Sequence, residues 1–397
     1  MESDLRDTQR PRVLAFYLPQ FHPIPENDEW WGAGFTEWTN VARAKKLYPG
    51  HDQPRIPGEL GFYDLRLPET RHAQAELARE HGVAGFIYWH YWFGSGRTIL
   101  DRPFDEVLTS GTPNLPFCLA WANQTWSGIW HGDPDRILIE QTYPDDEDYH
   151  RHFERVLPAF RDPRYFRVDG KPLFYIMFPS ALPDPRRFVA LWRQWARDAG
   201  LAGLYLVGSA ERDAPRAGSG FDAFVGPCVP DLYIRRRDVL RRLSRRLGVP
   251  PVYSYRRYSA GLPHRLAGVT SLPCVLPGWD NTPRCGARGV VLHSPEPAAF
   301  RGQVERAVQS LDTHSPEEKI IFVKSWNEWA ESNYLEPDQH HGRAFLEALR
   351  DGLQSGAESA PAPRADRRVP ARSGDSRSRG PRIIARLRHE SVQSDPD

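Results

Sequence analysis

The sequence is poor in the residues that mark a disulfide-stapled, metal-bound or membrane-spanning chain. Its 397 residues include four cysteines, Cys118, Cys228, Cys274 and Cys285, widely spaced and without a CxxC pair. Neither a disulfide framework nor a zinc site is expected from them. They read as small buried hydrophobes of a reducing compartment. Charge of one sign is also missing. A formal net charge of +1 leaves no overall field to attract nucleic acid or a membrane surface. No apolar run approaches the length of about 18 residues that a membrane span needs. The N-terminal stretch from Met1 to Arg10 is charged and has no apolar core of a signal peptide, so a cytoplasmic location is expected and residues 1–11 are read as flexible. No GxGxxG or P-loop follows the first strand, and neither Ser209 nor Ser254 sits in a GxSxG elbow. No cofactor is called for.

What is present is a long alternation of short apolar runs with helical patterns. Strands are expected at Val13–Tyr17, Gly85–Trp89, Phe117–Trp121, Leu173–Phe178, Leu204–Gly208, Ala223–Val225, Cys274–Leu276 and Ile320–Lys324, all rich in β-branched and aromatic residues. Amphipathic helices are expected at Pro68–His81, Glu147–Phe160, Pro185–Ala199 and Pro295–Leu311, several opening with Pro or an acid. Eight strands with crossover helices point to an α/β fold, a (β/α)₈ TIM-like barrel with long βα loops. A doubly wound open sheet is the second choice.

Three segments break the pattern. Residues 18–67 are dense in Pro, Trp, Tyr and Phe, and a long loop of that kind is usually functional. Residues 231–270 carry Arg235 to Arg237, Arg241, Arg242, Arg245 and Arg246. This insertion-like stretch is a solvated basic face or a patch for phosphate or anionic lipid. Residues 355–397 are rich in Ser, Pro and Arg, and are expected to be a disordered basic tail. The catalytic unit is then 12–354.

In such a barrel the chemistry lies at the C-terminal ends of the strands. Those ends carry Tyr17, Gln20 and His22; Trp89, His90 and Tyr91; Trp121, Asn123 and Trp126; Trp279, Asp280 and Asn281; and Trp326, Asn327, Glu328 and Glu331. Pyranose rings pack their C–H faces on Trp and Tyr, and Asn, Gln, His and Asp read hydroxyls, so a glycan is the expected ligand. The tryptophans could equally pack the core. Glu328 and Glu331, three apart, could share one side of a helical turn, with Cβ atoms about 5–6 Å apart. That suits an acid and base pair. It also suits the acidic N-terminus of a helix capped by Asn327. Asp133-Pro-Asp135 has the spacing of a metal-holding acidic motif but lacks a following apolar strand, and a turn is favoured there. Asp145 to Asp148 reads as an acidic helix start. Adjacent His340 and His341 do not face one ligand on a helix. No metal site is expected.

The stretches Phe16-Tyr-Leu-Pro-Gln-Phe-His22 to Gly32, Gly34-Phe-Thr-Glu37-Trp38-Thr-Asn-Val41, Pro277-Gly-Trp-Asp-Asn-Thr-Pro-Arg284 and Trp326-Asn-Glu-Trp-Ala-Glu331 to Asp338 resemble, in order, the signatures of WbsX-type proteins. Those are relatives of the endo-acting α-mannosidases of glycoside hydrolase family 99. The resemblance covers roughly 12–350 and implies a (β/α)₈ barrel acting on α-linked sugars with retention and without a metal. It implies that Glu328 deprotonates the sugar's own 2-hydroxyl, giving a 1,2-anhydro sugar, while Glu331 serves as acid and then base. It also brings Glu37 and Trp38 into the expected sugar site. The chain departs from relatives in having Ser332 where they commonly carry Gly.

Two functional classes follow. One is a retaining glycoside hydrolase or transglycosylase acting on an oligosaccharide or glycan. The other is a glycosyltransferase of O-antigen, capsule or exopolysaccharide assembly, for which the basic 231–270 stretch would suit a lipid-linked or anionic acceptor. A non-catalytic glycan-binding barrel is a third class, disfavoured by the two glutamates.

Overall fold

The computed structural model describes residues 10–128, 133–210, 218–226, 243–244 and 246–358. Its centre is a parallel barrel of strands β1 (Arg12–Tyr17), β2 (Val83–His90), β3 (Phe117–Trp121), β4 (Lys171–Ile176), β5 (Tyr205–Ser209), β6 (Ala223–Val225), β7 (Ser271–Leu272), β8 (Cys274–Val275) and β9 (Ile320–Val323). The hydrogen-bonded order is β7-β6-β5-β4-β3-β2-β1-β9-β8. β7 and β8 flank Pro273, whose carbonyl accepts the Phe322 N–H at 2.9 Å. Proline has no N–H for the ladder, so it splits one barrel position into two short strands. Among the described residues nine strands therefore fill eight positions. The expected strands all form, Phe117–Trp121 and Ala223–Val225 at their expected bounds and the others with ends shifted by one or two residues.

Side-chain alternation sorts each strand into an inner and an outer row. Phe16, Trp89, Tyr175 and Phe322 point inward and touch one another, with Phe16 stacked on Trp89 at 4.8 Å and 5.1 Å from Tyr175. This aromatic layer fills the barrel beneath its open rim. Tyr17, Phe86 and Tyr88 point outward instead and pack with Trp326 and Phe104.

Crossover helices α3 (Pro68–Glu80), α5 (Asp146–Arg161), α6 (Pro185–Asp198) and α9 (Pro297–Ser310) stand within two residues of their expected bounds. Pro68, Pro185 and Pro297 open the first turn, where the missing N–H is harmless. The acids after Asp145 do start a helix, and Asp145 caps it by accepting the Asp148 N–H at 2.8 Å. The 18–67 stretch is not a bare loop. It holds α1 (Pro25–Trp31) and α2 (Glu37–Arg43). Asp133 to Asp135 open a strand, Asp133–Ile139, paired with Trp126–Gly128, so the expectation of a turn with no strand behind it is overturned. A small sheet joins Val252–Ser254, Val291–His293 and Trp279–Asp280 over a second core of Tyr255, Leu262, Leu276, Val290 and Leu292.

The last helix, α10 (Ala344–Glu358), packs on α9. It carries the barrel unit past the expected boundary at 354, because Ser355 lies inside it and accepts from Arg301 at 2.6 Å. The remainder of the expected tail, the stretch from Arg235 to Arg242, and Arg245 lie outside the described residues. Close approach of the two helices needs glycine: a Cβ at Gly352 or Gly356 would meet Val304 or Val308 at 2.8 Å. Gly356→Leu is expected to lower the unfolding free energy by about 1–3 kcal/mol through overpacking. A denaturant midpoint equal to that of the unsubstituted protein would contradict this packing.

Candidate active site

The chain leaves β9 through Lys324 and Ser325 and then forms a tight double-back. Asn327–Glu328 pairs antiparallel with Asn333–Tyr334, and Trp329–Glu331 makes one 3-10 turn. The two glutamates are thus not on a helix N-terminus, and Asn327 is not a cap. Asn327 instead locks this loop to β1: its side chain accepts from Leu18 N–H at 2.7 Å and donates to Leu18 C=O at 3.1 Å. Ser325 Oγ holds the turn, accepting from Glu328 N–H and donating to Asn333 C=O. Ser332, standing where the resemblance expects glycine, has φ 44°. That conformation costs a non-glycine residue roughly 1–2 kcal/mol. Its hydroxyl accepts from Gln53 Nε2 at 2.8 Å, an anchor glycine would lack.

Glu328 and Glu331 are both buried and share two cations. Arg284 donates from one terminal nitrogen to Glu331 Oε1 at 2.6 Å and from the other to Glu328 Oε2 at 3.2 Å. Its Nε donates to Glu37 Oε1 at 2.7 Å. Lys324 Nζ lies 2.9 Å from Glu328 Oε1 and 3.4 Å from Glu331 Oε2. Trp89 Nε1 adds a bond to Glu328 Oε1 at 3.1 Å. Every oxygen of the pair therefore has at least one donor, and the remaining lone pairs leave room for a sugar hydroxyl.

Three buried carboxylates against two cations leave one negative charge in excess when all are ionised. Buried charge is costly unless compensated, so the site favours holding one proton. Burial opposes ionisation of Glu328, but Lys324 and Arg284 outweigh it and hold Glu328 below the ordinary carboxylate range. Burial raises Glu331, and the Glu328 charge adds to that rise against the pull of Lys324 and Arg284. Glu37 is raised too, by burial, with Arg284 opposing. The geometry thus offers an ionised carboxylate beside one inclined to keep a proton, the division of labour that acid and base work requires.

The expected sugar-site residues separate into groups. Trp89 and Tyr91 join the glutamates. Burial and the Glu328 charge hold the Tyr91 phenol well above its usual range, and its ring meets Trp126 edge-on at 5.1 Å. Glu37 is at the site, at the first turn of α2, and Trp38 packs on Trp329 at 5.5 Å. Gln20 contributes its carbonyl, which accepts the Glu37 N–H. Asp280 accepts from His51, Gln53 and Thr282, and Asn281 from Val290 N–H. These two fix the loop that carries Arg284, with Trp279 buried in the second core.

Others are not brought to the pair. Tyr17 donates to Gln74 at 2.7 Å on the outer face. His90 faces His152 at 2.9 Å in the helical layer, where burial pulls its imidazole down to about 3. Trp121 donates to Trp92 C=O and packs on Phe188. Asn123 ties down Phe178 through its N–H and C=O. Trp326 packs on Phe86. His22 is buried near Asp64, and burial lowers its imidazole. Tyr17, His90 and Trp121 fail to reach the site because alternation places them in the outer row, whereas Trp326 lies past the end of β9, where the loop turns its ring onto outward-facing Phe86. Arg284 and Lys324 were not anticipated. The signal was available, because two carboxylates buried among tryptophans demand counter-charges. Arg284 closes one quoted motif and Lys324 ends the last expected strand.

With this geometry in view, comparison with known proteins is informative. The model of the family described as glycosyltransferase WbsX matches residues 13–349. The chain belongs to the WbsX glycosyltransferase family. Its relatives include a protein called WxcX from Xanthomonas campestris pv. campestris (strain B100). That protein is 40% identical over 358 residues, covering 88% of this chain and 50% of the relative. The chain thus spans about half the length of the curated relatives it matches. Among solved structures, a glycoside hydrolase-like protein superposes with TM-score 0.54 at 16% identity, over 87% of this chain and 94% of that one. The GH99 endo-α-mannosidase from Bacteroides thetaiotaomicron gives 0.53 at 15% identity, over 88% and 99%. At these identities the likeness is one of fold, and it gives the WbsX chain a GH99-like barrel.

Glu336, eight residues beyond Glu328 in this WbsX chain, is buried behind the loop. It accepts from Gln74 at 2.6 Å, Tyr63 at 2.9 Å and Trp329 at 2.6 Å. Burial pushes its carboxyl up to about 7. The folded chain therefore keeps a proton that the unfolded chain sheds near its ordinary 4.5. Stability contributed by this group falls as pH rises from the ordinary value to about 7 and is level above. Glu336→Gln is expected to flatten that fall in urea midpoints taken from pH 5 to 8; equal slopes for both proteins would refute the assignment.

Proposed function

We propose that this chain is a retaining carbohydrate-active enzyme for α-linked sugars of mannoside type, working in surface-polysaccharide metabolism, with residues 12–358 as its catalytic unit. The observation that carries this reading is that buried Glu328 and Glu331 share Arg284 and Lys324, with Glu37 as a third carboxylate on the same guanidinium, so that two cations face three acids. Ionised Glu328 takes the proton of the sugar 2-hydroxyl, and that oxygen attacks the anomeric carbon. The bond to the leaving oxygen breaks as Glu331 delivers its proton there. Glu331, now ionised, removes a proton from the incoming hydroxyl, which opens the 1,2-anhydro ring with a second inversion; Glu328 returns its proton to O2. Trp89, Tyr91, Trp126 and Trp38 supply the aromatic surfaces against which sugar rings pack.

Membership of a family described as glycosyltransferases favours a second reading, a glycosyltransferase of O-antigen, capsule or exopolysaccharide assembly that takes its sugar from a nucleotide-sugar donor and passes it to a lipid-linked or anionic acceptor. Among the described residues no helix is long and apolar enough to cross a membrane. A paired thermal-shift screen separates the two. The hydrolytic or transglycosylating enzyme is expected to be protected by α-manno-oligosaccharides or imino-sugar mimics, the transferase by a nucleotide sugar.

On the glycan so selected, Glu328→Gln and Glu331→Gln are each expected to cut turnover about 10²- to 10⁴-fold with melting curves still cooperative. Near-full activity in both would sink the assignment. The pH profile is expected to be bell-shaped, rising as Glu328 ionises and falling as Glu331 loses its proton, above the ordinary carboxylate range. A descending limb retained in Glu331→Gln would assign that limb elsewhere.

A further inference from the structure

The two glutamates are held unequally by the cation beneath them. Lys324 Nζ is close to Glu328 at 2.9 Å but 3.4 Å from Glu331, so it cannot by itself fix Glu331. Arg284 reaches both, and Glu37 as well, with a different nitrogen for each carboxylate. A planar guanidinium carries its donors on three separate nitrogens in a fixed fork, and here each nitrogen meets one carboxylate, an arrangement that an ammonium on a single nitrogen does not reproduce. The loop beneath it is built to hold it still. Asp280 is saturated by His51 Nε2, Gln53 and Thr282. The His51 ring accepts the Leu47 N–H on Nδ1 at 3.0 Å, so its Nε2 carries the hydrogen given to Asp280. Asn281 Oδ1 accepts from Val290 N–H, and a Cβ at Gly289 would meet that same oxygen at 2.9 Å. The loop is thus anchored from both sides of residue 284. Lys324 is 4% exposed and sealed, whereas the Arg284 side chain is 13% exposed at the rim.

We propose that Arg284 is the positioning residue of the pair: its fork fixes Glu328 and Glu331 to each other and to Glu37, while Lys324 closes the ring of charges from beneath. The inference rests on the acid and base reading of the pair. Without Arg284 three carboxylates share one ammonium, with the Tyr91 phenol facing them, and both catalytic carboxyls gain protons more readily. The ionised base is then lost at pH values where the acid is still protonated. Arg284 touches no reacting atom in this scheme and acts through the glutamates.

The test reads the carboxyls directly and needs no turnover, so its failure is distinct from failure of the proposed function. The full chain is labelled with ¹³C at glutamate side-chain carboxyls, the resonances are assigned with Glu328→Gln and Glu331→Gln, and each is titrated. In Arg284→Gln the Glu328 titration is expected to rise by about one to three pH units, the size of effect for losing a nearby opposite charge. In Arg284→Lys one ammonium cannot serve three carboxylates, and at least one of Glu328 and Glu331 is expected to titrate higher than in the unsubstituted protein. The Lys variant is read alone by the same criterion if the Gln variant does not fold. Where a glycan is turned over, kcat is expected to fall with KM little changed, and Arg284→Lys to recover part of the loss. Unchanged titrations of both glutamates in a folded Arg284 variant would overturn the proposal.

Discussion

Carboxylates that sit side by side out of water need cations to hold them. Arg284 and Lys324 supply that hold, one from the rim and one from the strand end. Isolated buried charges are expensive, and a buried pair that loses one partner is destabilised by about 3–5 kcal/mol. The surrounding structure serves this cluster. The aromatic layer of Phe16, Trp89, Tyr175 and Phe322 closes the barrel below it. Trp89 does double duty, filling that layer and donating to Glu328. Lowering the local dielectric strengthens every charge interaction above the layer.

A second tier of buried polar groups fixes the loops that carry the charges. Asn327 ties the last loop to β1, Asp280 and Asn281 tie the arginine loop to its neighbours, and Glu336 gathers Gln74, Tyr63 and Trp329 behind both. None of these needs to touch a sugar to matter. Asn, Asp and Glu at strand ends are read easily as hydroxyl-binding groups, yet here many of them satisfy backbone and neighbouring side chains. The pattern follows from geometry: loops that depart from a barrel rim leave backbone groups without ladder partners, and those groups must be paired.

Much of the fold was legible in the linear pattern. The barrel strands and the four crossover helices stand close to where apolar periodicity and opening prolines place them. Pro273 was the exception, since a proline without an N–H for the ladder splits one barrel position into two short strands, of which only the second was expected. The family likeness was legible too, because Phe16 to Gly32, Pro277 to Arg284 and Trp326 to Asp338 are long motifs in fixed order, and the matched family model spans all three. What could not be read was facing. His90 and Trp89 are neighbours in sequence, yet one packs into the helical layer and the other reaches Glu328. A shift of one residue in register exchanges those fates.

The sequence by itself determined the parts: a parallel α/β barrel, a rim crowded with aromatic and polar side chains, and two glutamates three residues apart after the last strand. It left their local structure open between a helix cap and an acid and base pair. Tertiary structure removed the helix cap, folding the pair into a strand–turn–strand loop among charges from distant parts of the chain. Glu37, Arg284 and the Lys324–Glu331 stretch come from three different segments, and nothing in local spacing announces that a guanidinium will lie between carboxylates nearly three hundred residues apart. Charge compensation in a buried site is a property of the folded whole, and it draws Glu328 below the ordinary carboxylate range while burial holds Glu331 above it.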